Sequence, residues 1–186
     1  MVVVSAAGKR HSKDHKITDL LYLCHAHTQY GVACDPVFEM ITSRYLEIRD
    51  TLGITLDLEP DFAKLKERLD AKLVSQDEMA SRGEYYSAKL MAAYLGFEFI
   101  DATEWVFFNI DGTVDTEKSY AALASKAKGK CVVTPGFYGV MPDGSIRTFS
   151  RGGSDITGSL AAAAKAPVIS LPPPEKVRIA PLGITP

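Results

Sequence analysis

The hydrophobic residues of this chain change their period at Gly96, and that change restricts the fold more than any single motif. Before it, side chains recur at helical spacing. Ile17, Leu20, Leu21, Cys24 and Thr28 share one face, as do Val37, Ile41, Tyr45, Ile48 and Leu52. Phe62, Leu65, Leu69 and Leu73 make a third stripe. Ser75 with Glu78 has capping-box spacing, and Ala88, Met91, Ala92 and Leu95 continue helically to a C-capping Gly96. After Gly96, residues 97–100 and 106–108 read as strands, joined by a short connection. Residues 117–128 suit a helix with Tyr120, Leu123 and Ala124 on its apolar side. Cys131-Val132-Val133-Thr134 reads as a buried strand stopped by Pro135-Gly136. Residues 137–141 and 145–149 form a hairpin about Pro142-Asp143-Gly144. The opening Val2-Val3-Val4 is a further buried strand, and residues 154–164 are small and helix-forming. Strands alternating with helices predict an α/β fold, a three-layer sandwich with a mainly parallel sheet.

Composition narrows the class without naming an activity. At 186 residues the chain has the length of one domain, and it needs no disulfide or metal to fold. Lys plus Arg (21) nearly balance Asp plus Glu (23), so there is no overall positive field to hold a nucleic acid. No apolar run approaches the ~20 residues of a membrane span. Three cysteines, a small and odd number, suggest reduced thiols in a cytoplasmic protein. Six of the ten prolines fall in the last 20 residues, so residues 166–186 are expected to be an extended or disordered tail.

Three stretches carry residue types suited to chemistry. In Ser150-Arg151-Gly152-Gly153-Ser154-Asp155 a strand runs through two glycines into a helix, whose first amides suit an anion; Arg151 offers a fork for a carboxylate or phosphate. A plainer account makes Ser154 a helix cap and Arg151 a solvated charge. In Ser81-Arg82-Gly83-Glu84 the carboxylate is either a ligand group or a charge placed near a helix N-terminus. Ser5-Ala6-Ala7-Gly8-Lys9 follows the first strand, and Thr18-Asp19 opens the next helix. Gly8-Lys9 is not a Walker loop, because Arg10 stands where Ser or Thr is needed and no glycine lies at the right distance upstream. Cys24, His25, His27 and Cys34 match no closed zinc spacing, so no metal site is expected.

The ordered set of Val3-Val4-Ser5-Ala6, Ile17-Thr18-Asp19-Leu20-Leu21, Ser81-Arg82-Gly83-Glu84, Val133-Thr134-Pro135-Gly136-Phe137 and Ser150 to Asp155 resembles the aspartokinases of the amino-acid kinase family over about residues 1–165. The resemblance implies transfer of the ATP γ-phosphoryl group, with Mg2+, to the side-chain carboxylate of L-aspartate, in a homo-oligomer. It implies that Arg151 binds the α-carboxylate and Glu84 the α-ammonium, with Ser154 and Thr18 hydrogen-bonding the substrate. Asp155 would orient cationic groups at the phosphoryl site, Ser5 would line it, and Gly152-Gly153 would admit phosphate oxygens to the backbone.

Members of that family start with a Lys-Phe-Gly-Gly-type segment and continue past the RGGSD helix into a nucleotide-holding region and regulatory ACT domains. This chain shows neither part. The expectation is therefore a partial, substrate-side amino-acid kinase domain at residues 1–165, truncated at both ends, with an unrelated tail at 166–186. Loss of a phosphate-neutralising lysine removes electrostatic stabilisation worth about 3–4 kcal/mol in comparable enzymes, which leaves turnover by this chain open. Two other readings stay open as well: a relative acting on another carboxylate or on carbamate, and a non-catalytic fragment that binds an amino acid or docks on a full-length subunit.

Overall fold

The computed structural model of the chain describes residues 1–150 and 152–165. The expectations for Arg151 and for the proline-rich segment 166–186 lie outside those residues. Strand β1 (Val2–Val4) leads through a long loop to helices α1 (Ile17–Gln29), α2 (Asp35–Thr51), α3 (Glu59–Asp70) and α4 (Gln76–Leu95). Then come β2 (Glu98–Phe99), α5 (Thr116–Lys126), β3 (Val132–Pro135), the β4 (Tyr138–Val140) and β5 (Ile146–Thr148) hairpin, and α6 (Gly153–Lys165).

Strand β3 is central: β1 and β2 both pair with it in parallel, with Val3 opposite Thr134 and Phe99 opposite Val133. Its four residues are buried, whereas β1 has one neighbour and is only half-buried, not the buried strand its three valines suggest. The pleat sorts side chains to two faces. Val2, Val4, Val133, Phe97 and Phe99 pack with Ala88 and Ala92 of α4. Met1, Val3 and Val132 pack on the other side with Leu123 of α5 and with Leu160 and Ala161 of α6. The expected three layers result, with α1, α2 and α3 stacked on the far side of α4 around Ile17, Leu21, Ile41, Tyr45, Leu69 and Met79. No helix among the described residues is long and apolar enough to cross a membrane.

The stripe of α1 is buried at all five positions. Ser75 caps α4 through the Glu78 amide at 3.1 Å, and Gly96 ends it at φ 66°. Glu78 does not complete the box, since its carboxylate is bound by Arg68. Other local readings needed correction. Leu73 is exposed because α3 stops at Asp70 and Lys72 turns left-handed (φ 57°), so the stripe does not extend one more turn. Leu52 lies beyond the end of α2 and is also exposed. Met91 and Leu95 face solvent, while Ala88 and Ala92 lie against the sheet. On α5 the buried face is Ser119 and Leu123, continued by the C-capping Ala127, and Ala124 points outward. Residues 106–108 form only single bridges, Phe107 with Val140 and Phe108 with Val114. The Phe107 amide donates to Ser119 Oγ at 3.0 Å instead of to a strand neighbour. Of residues 97–100, only Glu98 and Phe99 pair as strand, and Cys131 is exposed.

Candidate functional site

The chain turns out of β1 at Ser5, at the carboxyl end of the parallel sheet, where ligands of open α/β sheets gather. Ser5 is exposed there. The Gly136 amide just past β3 donates to the Val4 carbonyl at 2.9 Å, which ties the two strand ends together. A Cβ on Gly136 would sit 2.8 Å from Ser154 Cα, so only glycine lets the start of α6 come this close. Ser154 thus stands beside the exit of β3, and β3 joins it to the exit of β1. Because α6 opens at Gly153, Ser154 lies inside the first turn and is not the N-cap of the plainer reading. Gly152 is exposed with φ 59°, while Gly153 is buried under Phe137 and Phe149. Close packing therefore accounts for Gly153, and the open side of the turn belongs to Gly152. Asp155 is exposed in the first turn of α6.

The second wall comes from α4. Its helix starts at Gln76, so Glu84 lies in the third turn, not near an N-terminus as its local sequence suggested. A Cβ on the preceding Gly83 would lie 2.9 Å from Ala6 Cβ and 3.3 Å from Leu21 Cδ1, so α4, α1 and the loop after β1 meet here. Thr18, half-buried in the first turn of α1, is next to Ile17, another neighbour of Gly83. Glu84 is only 6% exposed, and its Oε2 is buried with no hydrogen-bond partner. Burial pushes its carboxyl up to about 7, against the opposing pull of its own amide and that of Ala6. Among the described residues it forms no ion pair. A carboxylate held this way attracts a cation or ammonium group.

Gly83, the residue before Glu84, packs on Ala6, the residue after Ser5, and near Ile17, the residue before Thr18; the start of α6 at Ser154 meets the strand ends at Gly136. Arg151 lies outside the described residues, so its approach to Glu84 is not part of this geometry. Sequence reasoning gave three side chains no role here, although it placed Tyr45 on the apolar face of α2. Asp77 of α4 accepts from the Thr148 amide and hydroxyl, both at 3.1 Å, and anchors the hairpin to the helix. Tyr22, one turn after Thr18, is close enough to Asp77 and Glu84 for their charges to add to the upward push of burial on its phenol. Tyr45 donates from its hydroxyl to the Gly83 carbonyl at 2.8 Å. The spacing of Tyr22 from Thr18 was a usable signal; the partners of Asp77 and Tyr45 are 71 and 38 residues away and left no local one.

The four residues tested as metal ligands have other surroundings. Cys24 and Cys34 are buried, and burial pushes the Cys24 thiol well above its ordinary value. His25 Nε2 lies 3.2 Å from the Val74 carbonyl, and His27 Nδ1 lies 3.3 Å from that of Ala33.

Comparison with known proteins adds a family to this geometry. The model of the amino acid kinase family matches residues 39–167. The chain is 34% identical over 184 residues to Aspartokinase 3 of Bacillus subtilis (strain 168), a match covering 87% of this chain and 38% of that protein. It is 37% identical over 128 residues to an aspartokinase of Bacillus sp. (strain MGA3), covering 62% of this chain and 30% of the other. Among solved structures, the aspartate kinase of Clostridium acetobutylicum superposes with a TM-score of 0.83 at 47% identity, over 87% of this chain and 37% of that one. E. coli aspartokinase III in complex with aspartate and ADP shares the fold, with a TM-score of 0.68 at 21% identity over 88% of this chain and 39% of that one. The chain thus spans less than two-fifths of the length of each of these relatives.

Proposed function

This chain belongs to the amino acid kinase family, and on that premise we propose that it is the substrate-binding portion of an aspartate kinase, which transfers the γ-phosphoryl group of ATP to the side-chain carboxylate of L-aspartate. The observation that carries the proposal is Glu84, a buried carboxylate with one unpartnered oxygen at the strand ends. The α-ammonium of an amino acid supplies the missing charge and donor. Arg151, carried over by motif, supplies the fork for the α-carboxylate, and Thr18 and Ser154 supply hydrogen bonds between these two poles.

The attacking group is itself a carboxylate with a pKa of ~4 in solution, so it is ionised at neutral pH and needs no general base. The difficulty is bringing that anion to an anionic triphosphate. Alignment and backbone donors carry such a step. The first-turn amides of an α-helix have no intrahelical partner, and the left-handed Gly152 ahead of α6 has open space where a side chain would stand. Ser5 follows β1 at the same end of the sheet, and the role proposed for the exposed Asp155, in the first turn of α6, is to orient cations. No group of three or more His, Cys, Asp or Glu side chains is gathered among the described residues. In this reading Mg2+ arrives with ATP, whose charge it screens. The product would be 4-phospho-L-aspartate, made in the cytoplasm for lysine, threonine and methionine synthesis, by a homo-oligomer in the full-length protein.

Purified chain incubated with ATP, Mg2+ and L-aspartate, with hydroxylamine trapping the acyl phosphate, tests turnover. Trapped product with aspartate and none with glutamate is the expected result. Aspartate binding by calorimetry without trapped product would mark a binding fragment of the enzyme. Neither product nor binding would overturn the proposal.

A further inference from the structure

Two consecutive residues in the middle of helix α2 reach the loop after β1 and the α4 backbone on either side of the Ala6–Gly83 contact. Arg44 is 4% exposed. Its Nη1 donates to the Gly8 carbonyl at 2.8 Å, and its Nη2 forms a short buried ion pair with Asp14. Asp14 also accepts from the Arg10 and His15 amides, at 2.9 and 3.0 Å, and from Arg10 Nε at 3.1 Å. The loop after β1 is thereby closed on itself and bolted to α2. The next residue, Tyr45, is fully buried and donates to the Gly83 carbonyl, one residue before Glu84 on α4. The Ala7 amide lies beside the same hydroxyl. Between these two anchors, Ala6 and Gly83 are in contact.

We infer that Arg44 and Tyr45 are positioning residues which hold the loop at Ala6 and the α4 backbone at Gly83 in fixed register, and so keep water from Glu84. Two details of the cluster favour a positioning role. Arg44 leaves its buried Nε without a partner while both Nη groups are committed to the loop, a cost tolerated only where the loop's placement matters. Gly8 and Asp14 present a carbonyl and a carboxylate to one planar fork, a geometry that a lysine ammonium cannot reproduce. Among the described residues, the titratable neighbours that feel the Glu84 charge are Tyr22 from α1 and Tyr45 itself. The assignment of aspartate to this wall rests on the function proposed above; the positioning role does not.

The test follows the Glu84 side-chain carbon by NMR across a pH titration of the whole chain, with thermal unfolding to confirm that each variant is folded. Burial is the largest influence on Glu84. Loosening the register in Tyr45→Phe or Arg44→Lys should therefore lower its midpoint by about one pH unit as water enters. L-aspartate binding by calorimetry should weaken about fivefold in both. An unmoved Glu84 midpoint in folded variants overturns the inference, because a merely structural role changes stability alone. If Glu84 moves but Glu84→Gln leaves aspartate affinity intact, the positioning role stands and the aspartate assignment falls. Hydrogen exchange on the unaltered chain gives a second readout. The Ala6, Ala7 and Glu84 amides should become exchangeable in one common opening step, and independent opening of loop and helix also overturns the inference.

Discussion

Asp14 and Glu84 are both buried carboxylates at the edge of the same loop, and they are treated in opposite ways. Asp14 collects donors from Arg10, His15 and Arg44, and the Arg10 guanidinium and amide hold its carboxyl far below the usual range. Glu84, at a similar depth, has one oxygen without a donor and is pushed up to about 7. Asp14 has its cation built into the chain. Among the described residues Glu84 forms no ion pair, and its buried Oε2 has no hydrogen-bond donor.

The contrast can be broken most forcefully at Asp14. Asp14→Ala strands the buried Arg44 guanidinium, and the midpoint of thermal unfolding should fall by roughly 10 °C; a shift within a degree or two would mean the pair is structurally idle. Glu84→Gln should do the reverse to stability and much more to binding. A carboxyl raised from 4.5 to about 7 favours the folded state below its unfolded value, and that contribution disappears as pH rises through the folded value. At pH 8 the amide, which never ionises, should therefore stabilise the fold by about 3 kcal/mol relative to the parent, and at pH 4 by nothing. Aspartate affinity should meanwhile fall about 30-fold at pH 8, where the ionised parent binds best. Denaturant titrations at the two pH values and calorimetry at pH 8 measure both effects.

In the unaltered chain, affinity for aspartate should drop about tenfold per unit below pH 7, with one proton released from Glu84 on binding. Calorimetry in buffers of different ionisation enthalpy would detect that proton, and a flat profile would assign the ammonium to another group. At the opposite wall, Gly136→Ala forces a methyl against the Ser154 backbone and should cost about 1–3 kcal/mol in a denaturant titration. Ser154→Ala should weaken aspartate binding only about threefold, through the loss of one hydroxyl hydrogen bond.

Much of this molecule was legible as pattern. The α1 stripe, the Ser75 and Gly96 caps and the turn at Pro142-Asp143-Gly144 are local events, decided within a few residues of chain. Errors came where a stripe ran past its helix, as at Leu52 and Leu73, and where a tertiary partner took the place of a strand neighbour, as Ser119 does for Phe107. The motifs around Glu84 and Ser154 could be picked out along the chain, but the depth of Glu84 could not. Next to it, Gly83 meets Ala6 and takes the Tyr45 hydroxyl on its carbonyl, contacts made far along the chain.

Residue order alone decided the helices, their caps, the strand–helix alternation and the identity of the groups available for chemistry, because propensity, periodicity and capping act over one or two turns. Folding decided which carboxylate would be saturated and which left wanting. A proton affinity depends on how many donors and how much water surround a group: Asp14 finds its first donors four residues away at Arg10 and another at Arg44 of α2, 30 residues away, whereas Glu84 lies beside Gly83, which Tyr45 of α2 reaches from 38 residues away.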